Sequence, residues 1–67
     1  MLSKADKMFE ELRYVTTLSN ESFIYYHCVT NNITFNLIDK EIIASNISIK
    51  EHLAIHEKMK ELGWLNE

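Results

Sequence analysis

Hydrophobic and polar positions alternate with a helical period at the start of the chain. The apolar residues of this stretch are Leu2, Ala5, Met8, Phe9 and Leu12. Ser3 lies three residues before Asp6, a spacing close to that of a capping box, which is typical of the first turn of a helix. The pattern predicts a helix over Ser3–Arg13.

A second helical pattern occupies the C-terminal part of the chain. Ser48 and Glu51 have the spacing of a capping box, and Gly63 stands where a left-handed residue would end the helix. We predict a helix from Ser48 to Leu62, with an apolar arc made of Ile49, Leu53, Ile55, Met59 and Leu62. Leu53 and Met59 are expected to be buried. Folding is expected to require this helix, because truncating one core leucine costs about 2–5 kcal/mol.

Between the two helices, β-branched and aromatic runs are separated by polar pairs. The predicted strands are Tyr14–Ser19, Ser22–Thr30, Ile33–Ile38 and Glu41–Ile47. The predicted connectors are Asn20-Glu21, Asn31-Asn32 and Asp39-Lys40. We therefore expect residues 1–67 to form one small α+β domain. Its order is an N-terminal helix, an antiparallel meander of three or four strands and a C-terminal helix, with both helices on one face of the sheet.

The turn chemistry predicts which side chains share a face of the sheet. Asn tolerates positive φ, so a two-residue hairpin loop at Asn31-Asn32 is expected. The resulting inward pairs are Thr30 with Ile33, Cys28 with Phe35, and Tyr26 with Leu37. Ile24, Ile42 and Ala44 follow on the same face, for which Val15 is a further candidate. The outward residues are then Phe23, Tyr25, His27, Val29, Thr34, Asn36, Ile38, Ile43 and Ser45. A slip of one residue would exchange the two faces.

The outward face of this sheet is the predicted functional surface. Two helices can cover only one face of a short meander, so the apolar side chains of the other face form an exposed patch. Aromatic residues are enriched at the energetic centres of protein interfaces. We expect the patch to bind a protein partner, either a second copy in a homodimer or another protein. The candidate contact residues are Phe23, Tyr25, His27, Ile38 and Ile43. The plainer interpretation is an idle, partly exposed face.

Composition narrows the class of partner. The net charge is −3, from seven Lys and Arg against ten Asp and Glu, and the basic residues form no cluster. Binding a phosphate backbone needs a concentrated positive face, so the charge argues against nucleic acid. The aromatic run Phe23–His27 could nevertheless stack bases, which leaves a small nucleic-acid-associated regulator as the second hypothesis. The chain has no apolar stretch of membrane-spanning length and a single cysteine, so we expect a cytoplasmic protein.

A third hypothesis is a metal-binding or thiol-dependent protein. His52 and His56 are four residues apart on the predicted C-terminal helix and could hold one ion, with Cys28 as a third ligand. The zinc-protease pattern requires a glutamate directly after the first histidine, and Leu53 occupies that position. The chain has neither a glycine-rich phosphate loop nor a carboxylate pair across an apolar pocket. We therefore expect no catalytic residue, no metal and no cofactor.

The two ends of the chain resemble a family of short proteins. The segments that carry the likeness are Ser3–Leu12, SKADKMFEEL, and Glu61–Trp64, ELGW. Proteins of phages and prophages in Gram-positive bacteria have similar ends, length and order of elements. Such proteins commonly have glycine before the tyrosine that follows the first helix, where this chain has Arg13. The resemblance implies a phage-encoded accessory protein with this fold, and it brings no activity or site residues with it.

Overall fold

The computed structural model describes residues 3–65, which form two helices and four strands. The elements are α1 (Lys4–Glu11), β1 (Val15–Ser19), β2 (Phe23–His27), β3 (Asn32–Asn36), β4 (Glu41–Ala44) and α2 (Ile49–Glu61). The strands form one antiparallel sheet in the order β1-β2-β3-β4. Residues from both helices pack into a single core on one face of this sheet. The predicted α+β architecture is confirmed, with a meander of four strands.

Helix α1 begins and ends as local chemistry dictates, with one unusual residue. The side chain of Ser3 accepts a hydrogen bond of 3.1 Å from the backbone N–H of Asp6. After the C-cap, Arg13 adopts φ 70°, and the N–H of Tyr14 donates to the carbonyl of Phe9 at 3.0 Å. This hydrogen bond across a left-handed residue is a Schellman cap, for which glycine is the usual residue. Arg13 therefore adopts the conformation that glycine would adopt in the same turn.

Helix α2 begins and ends as predicted. Ser48 and Glu51 complete the capping box, since each side chain accepts a hydrogen bond from the other residue's backbone N–H. Gly63 follows the helix at φ 75°, and the N–H of Trp64 donates to the carbonyl of Met59 at 3.0 Å. The same cap that ends α1 thus ends α2, here with glycine. It turns Trp64 back toward the sheet, where its ring lies 6.1 Å from that of Phe35.

The predicted hairpin register between β2 and β3 is wrong, although the predicted faces are right. Tyr26 pairs with Ile33 and Ile24 with Phe35, so residues 28–31 form a four-residue loop that the N–H of Cys28 closes on the carbonyl of Asn31. The strands are consequently shorter than predicted. The sum of the paired residue numbers falls by an even number, so every side chain that remains in β2 or β3 keeps its predicted face. Thr30, which was predicted to face inward, instead lies exposed in the loop. The longer loop satisfies its polar groups with Asn31, whose amide donates to the Ser45 carbonyl at 2.8 Å.

The first strand departs from the prediction because it contains a bulge. The register shifts between Thr16 and Leu18, which leaves Thr17 as the extra residue. Val15 pairs with His27 and Leu18 with Tyr25, so both lie on the outward face. Val15 is 61% exposed and is not a core residue.

Aromatic stacking dominates the core. The ring of Phe9 on α1 stacks on that of Tyr26 with 4.1 Å between centroids, and Phe35 meets both rings edge-on. The buried residues are Ala5, Phe9, Tyr14, Ile24, Tyr26, Ile33, Phe35, Ala54 and Ile55. The inner face of the sheet is thus sealed by both helices.

The predicted apolar arc of α2 is partly wrong. Leu53 is 51% exposed and Ile49 is 80% exposed, whereas Ala54 and Ile55 are buried. Polar contacts set this rotation, because Glu51 accepts a hydrogen bond from Tyr14 and Lys58 approaches Asp6 at 3.3 Å. Glu51 and Lys58 thus hold their side of α2 toward Tyr14 and α1. Ile49 and Leu53 therefore face outward, although both are hydrophobic. Met59 is partly buried against the core.

Candidate functional site

The outer face of the sheet is the surface turned away from both helices. Antiparallel pairing places its side chains in rows that cross the strands. Its residues are Val15, Leu18, Phe23, Tyr25, His27, Asn32, Thr34, Asn36, Glu41 and Ile43. We use the term outer face for this set. The central row runs from Leu18 through Tyr25 and Thr34 to Ile43, so that it spans all four strands.

Four of the five predicted contact residues lie on the outer face. Phe23, Tyr25 and His27 are on β2, and Ile43 is on β4. Phe23 is 38% exposed and Ile43 is 64% exposed. The fifth, Ile38, is in the turn between β3 and β4 and is outside the strands, although it is 71% exposed. The strands therefore bring together the aromatic residues and Ile43, and leave Ile38 in a loop beside them.

The sequence pattern did not identify Leu18 as a member of this surface. Leu18 lies opposite Tyr25 and is 45% exposed. Its face depends on the bulge at Thr17, and threonine is an ordinary strand residue that gives no bulge signal. Only the paired register reveals that Leu18 extends the central row to the edge of the sheet.

The centre of the outer face contains a stacked pair of rings and a shallow depression. Tyr25 and His27 stack with ring centroids 6.3 Å apart and planes 17° apart, and the imidazole of His27 contacts the side chain of Asn32. A shallow depression of about 340 Å³ lies next to this pair. It is lined by Tyr25, Asn31, Asn32, Thr34, Ile43, Ala44 and Ser45. Such a depression could receive one or two side chains of a protein partner.

Charge is almost excluded from the strands. Glu41, at the start of β4, is the one Asp, Glu, Lys or Arg residue in the strands of the described chain. The seven Lys and Arg residues all lie in helices, caps and turns. Partner contact on the outer face would therefore cost little desolvation of charge.

A polar cluster joins Tyr14, in the connection between α1 and β1, to the first turn of α2. The hydroxyl of Tyr14 donates to Glu51, whose other carboxylate oxygen accepts from the backbone N–H of Ser48 at 2.7 Å. The hydrogen bond from Tyr14 is the main reason that the pKa of Glu51 lies below its usual value. Burial, together with this hydrogen bond, raises the pKa of Tyr14. The cluster favours the ionised carboxylate and fastens the connection between α1 and β1 to α2.

Cys28 lies beside this cluster. Burial raises the pKa of its thiol, but hydrogen bonds with Thr30, Tyr14 and the Asn31 backbone outweigh burial, so the pKa falls below its usual value. The sulfur is 3.7 Å from the hydroxyl oxygen of Thr30. The contacts that lower the pKa of Cys28 therefore come from its own loop and from Tyr14.

The three proposed metal ligands are not assembled. His52 and His56 are both exposed on α2, and Cys28 is partly buried at the loop. Within residues 3–65, no three His, Cys, Asp or Glu side chains lie close enough together to hold a metal ion. The thiol and the histidines therefore do not form one site in this structure.

Comparison with known proteins adds no relative. No family model, no curated protein and no solved structure matches this chain. Among the described residues, neither helix has both the length and the apolar character needed to cross a membrane. Function must therefore be inferred from the residues of this chain.

Proposed function

We propose that this chain is a non-enzymatic protein-binding module that acts through the outer face of its sheet. The observation that carries the proposal is an uncovered sheet face whose central row has apolar or aromatic residues on three of the four strands, and whose one charged residue lies at its corner. Solvated sheet faces normally alternate polar residues with the buried ones. Here the outward positions hold Leu18, Phe23, Tyr25 and Ile43, which contribute nothing to the core.

Tyr25 is the expected centre of the interface. It lies between Leu18 and Thr34, lines the depression and stacks on His27. Tyrosine offers a large rigid contact area and a hydroxyl, which is why it is frequent among the residues that dominate binding energy. Removing it should therefore weaken binding more than any change at the rim.

The size of the outer face limits how much surface it can bury against a partner. Four strands of about five residues cover roughly 300 Å², given spacings of about 4.8 Å between strands and about 3.4 Å along them. Stable complexes bury about 800 Å² per partner. The sheet face alone is smaller than that, so the partner either binds weakly or also contacts the loops around the depression.

The charge of the outer face, the resemblance of the chain ends to phage proteins and the single cysteine support the proposed kind of partner, origin and compartment. A face without Lys or Arg suits a protein better than a phosphate backbone. The resemblance of the chain ends to short phage proteins supports an accessory role encoded by a phage. A single cysteine, which cannot form a disulfide within the chain, supports a cytoplasmic site of action.

The test compares variants on and off the outer face. Tyr25→Ser and Ile43→Thr remove apolar surface without touching the core, and Val29→Thr is the matched control, since Val29 is fully exposed in the loop between β2 and β3. Sedimentation over a concentration series detects self-association, and affinity capture from host lysate detects another protein. We expect one of these signals in the wild type and the control, and its loss in both face variants.

The result separates the possible partners. A concentration-dependent mass that falls to the monomer in Tyr25→Ser identifies a second copy as the partner. A wild type that is monomeric but captures a protein in a Tyr25-dependent manner identifies a heterologous partner. A wild type that does neither, or one whose binding is unchanged in both face variants, would refute the proposal.

A further inference from the structure

His27 and Asn32 form a side-chain pair at one end of the outer face. They lie opposite each other on β2 and β3, and Nδ1 of the imidazole is 2.5 Å from Oδ1 of the amide. The ring of Tyr25, two residues earlier on β2, stacks on the imidazole with 6.3 Å between centroids. His27 is exposed, but its ring is thus held by contacts with two neighbouring side chains.

The contact with Asn32 determines which ring nitrogen of His27 carries the hydrogen. An amide oxygen only accepts hydrogen bonds, so Nδ1 must be the donor. A neutral imidazole has a single N–H group, which leaves a lone pair on Nε2. Asn32 therefore makes Nε2 of the neutral ring a hydrogen-bond acceptor on an exposed side chain of the outer face.

The charged groups around His27 are few. Val15 faces it from β1 and Asn32 faces it from β3, and neither side chain titrates. Arg13 is exposed two residues before Val15, in the connection that precedes β1. Glu41, the one charged residue in the described strands, lies four residues farther along the sheet and two strands away. This separation is roughly 17 Å, given strand spacings of about 4.8 Å and rises of about 3.4 Å per residue, and exceeds a screening length of about 8–10 Å.

We infer that His27 is a pH-dependent hydrogen-bond acceptor of the outer face and that Asn32 is its positioning residue. The inference rests on the proposed function of that face, and it names the chemistry of the partner, which presents an N–H or O–H group to Nε2. Protonation of the imidazole places a hydrogen and a positive charge there, so a donor of the partner would meet a donor. Histidine side chains ordinarily change charge between about pH 5 and pH 8, so acid should weaken binding within this range.

Nitrogen-15 NMR of the free full chain at pH 8 tests the pair. Long-range correlations between ring protons and ring nitrogens distinguish the Nδ1–H form from the Nε2–H form. We expect His27 to be mainly the Nδ1–H form, and Asn32→Ala to lower that fraction at least twofold. Thr34→Ala, the next outward position on β3, is the matched control and should leave the fraction unchanged. A wild type that is mainly the Nε2–H form would overturn the inference and leave the proposed function intact.

Peptide binding at two pH values tests the acceptor. Twelve-residue peptides are selected on the full chain at pH 7.5 and counter-selected on Tyr25→Ser, which retains those that bind the outer face. A synthetic, histidine-free peptide with the selected consensus should bind the wild type at least tenfold more weakly at pH 5.5. His27→Gln supplies an amide oxygen without a titrating group, so its affinity should change less than threefold. His52→Gln, on α2, is the matched control and should keep the pH dependence of the wild type.

The outcomes separate this inference from the proposed function. If no peptide binds the outer face, the proposed function is refuted and the inference with it. If a peptide binds equally well at both pH values, or if its pH dependence persists in His27→Gln, the inference alone is overturned. Circular dichroism at both pH values verifies that each variant is folded when its affinity is measured.

Discussion

The hydroxyl of Tyr26 donates a hydrogen bond of 2.6 Å to the carboxylate of Asp6, which joins the second strand to the first turn of α1. The Lys58 ammonium lies 3.3 Å from the same carboxylate oxygen. One acidic side chain therefore connects the sheet and both helices. Because the ring of Tyr26 is 1% exposed, this polar contact lies at the edge of the aromatic core and fixes how α1 seats on the sheet.

Removing that hydroxyl should destabilise the domain. Tyr26→Phe keeps the stacking on Phe9 but deletes a hydrogen bond to a charged group, so the free energy of unfolding should fall by about 1.5–3 kcal/mol. Tyr25→Phe, one residue away on the outer face, should change it by less than about 0.5 kcal/mol. Urea unfolding of both variants provides the measurement. Equal stabilities would mean that the Tyr26–Asp6 contact does not contribute.

Stability should fall in acid through Asp6 and Glu51. Burial raises the pKa of Asp6, but hydrogen bonds from Tyr26 and Ser3 and the charge of Lys58 outweigh it, and the pKa of Glu51 is also lowered. A carboxylate with a lowered pKa binds fewer protons in the folded state than in the unfolded state. Its contribution is complete above the unfolded pKa and is lost as the pH falls below about 4.

The measurement is urea unfolding from pH 6 to pH 3. The wild type should lose stability over the acidic part of this range, and Asp6→Asn combined with Glu51→Gln should flatten the dependence. A double variant with the wild-type slope would assign acid sensitivity to other carboxylates.

Glycine at position 13 should stabilise the protein. Arg13 has φ 70°, a region that costs a residue with a side chain about 1–2 kcal/mol. Glycine removes that cost. It also makes the unfolded chain more flexible, which offsets part of the gain. Arg13→Gly should therefore raise the free energy of unfolding by about 0.5–1 kcal/mol. Lys7→Gly, at an exposed position within α1, should instead remove about 1 kcal/mol. Thermal unfolding should therefore shift in opposite directions, and a lower midpoint for Arg13→Gly would contradict the cap described above.

Two neighbouring positions on α2 should respond very differently to truncation. Ile55→Ala removes a side chain that is 5% exposed and should cost about 2–5 kcal/mol. Leu53→Ala removes one that is 51% exposed and should cost less than about 1 kcal/mol. If Ile55→Ala does not fold, Ile55→Val, at about 0.5–1.5 kcal/mol, gives the same comparison. Equal costs at both positions would mean that α2 is rotated relative to this structure.

Local signals explain what the sequence could predict. Ser3, Ser48 and Gly63 act through contacts within a few residues, so the helix limits follow from spacing alone. Alternation placed Ile24, Tyr26, Ile33 and Phe35 on the inner face, and that assignment survived an error in the loop length because the register changed by an even step. The outward position of Phe23, Tyr25 and Ile43 followed from the same alternation.

What the sequence could not predict depends on contacts between distant residues. The rotation of α2 depends on Tyr14 bonding to Glu51 and on Asp6 meeting Lys58, which are 37 and 52 residues apart. Hydrophobicity alone favoured burial of Leu53. Threonine at the bulge gives no sequence signal, so the position of Leu18 on the outer face could not be predicted. Arginine rarely adopts a left-handed conformation, so the C-terminal cap of α1 could not be predicted either.

The bond from the N–H of Ala5 to the Glu61 side chain has a consequence for how the protein forms. It spans 56 residues, and the helices it joins enclose the whole meander in sequence. Contacts this distant along the chain are slow to form, since the entropy of closing the loop must be lost first. On a ribosome, α1 would emerge early with Phe9 unsheltered and wait until α2 is synthesised. Assembly of the domain is therefore expected to require α2 and to be all-or-none.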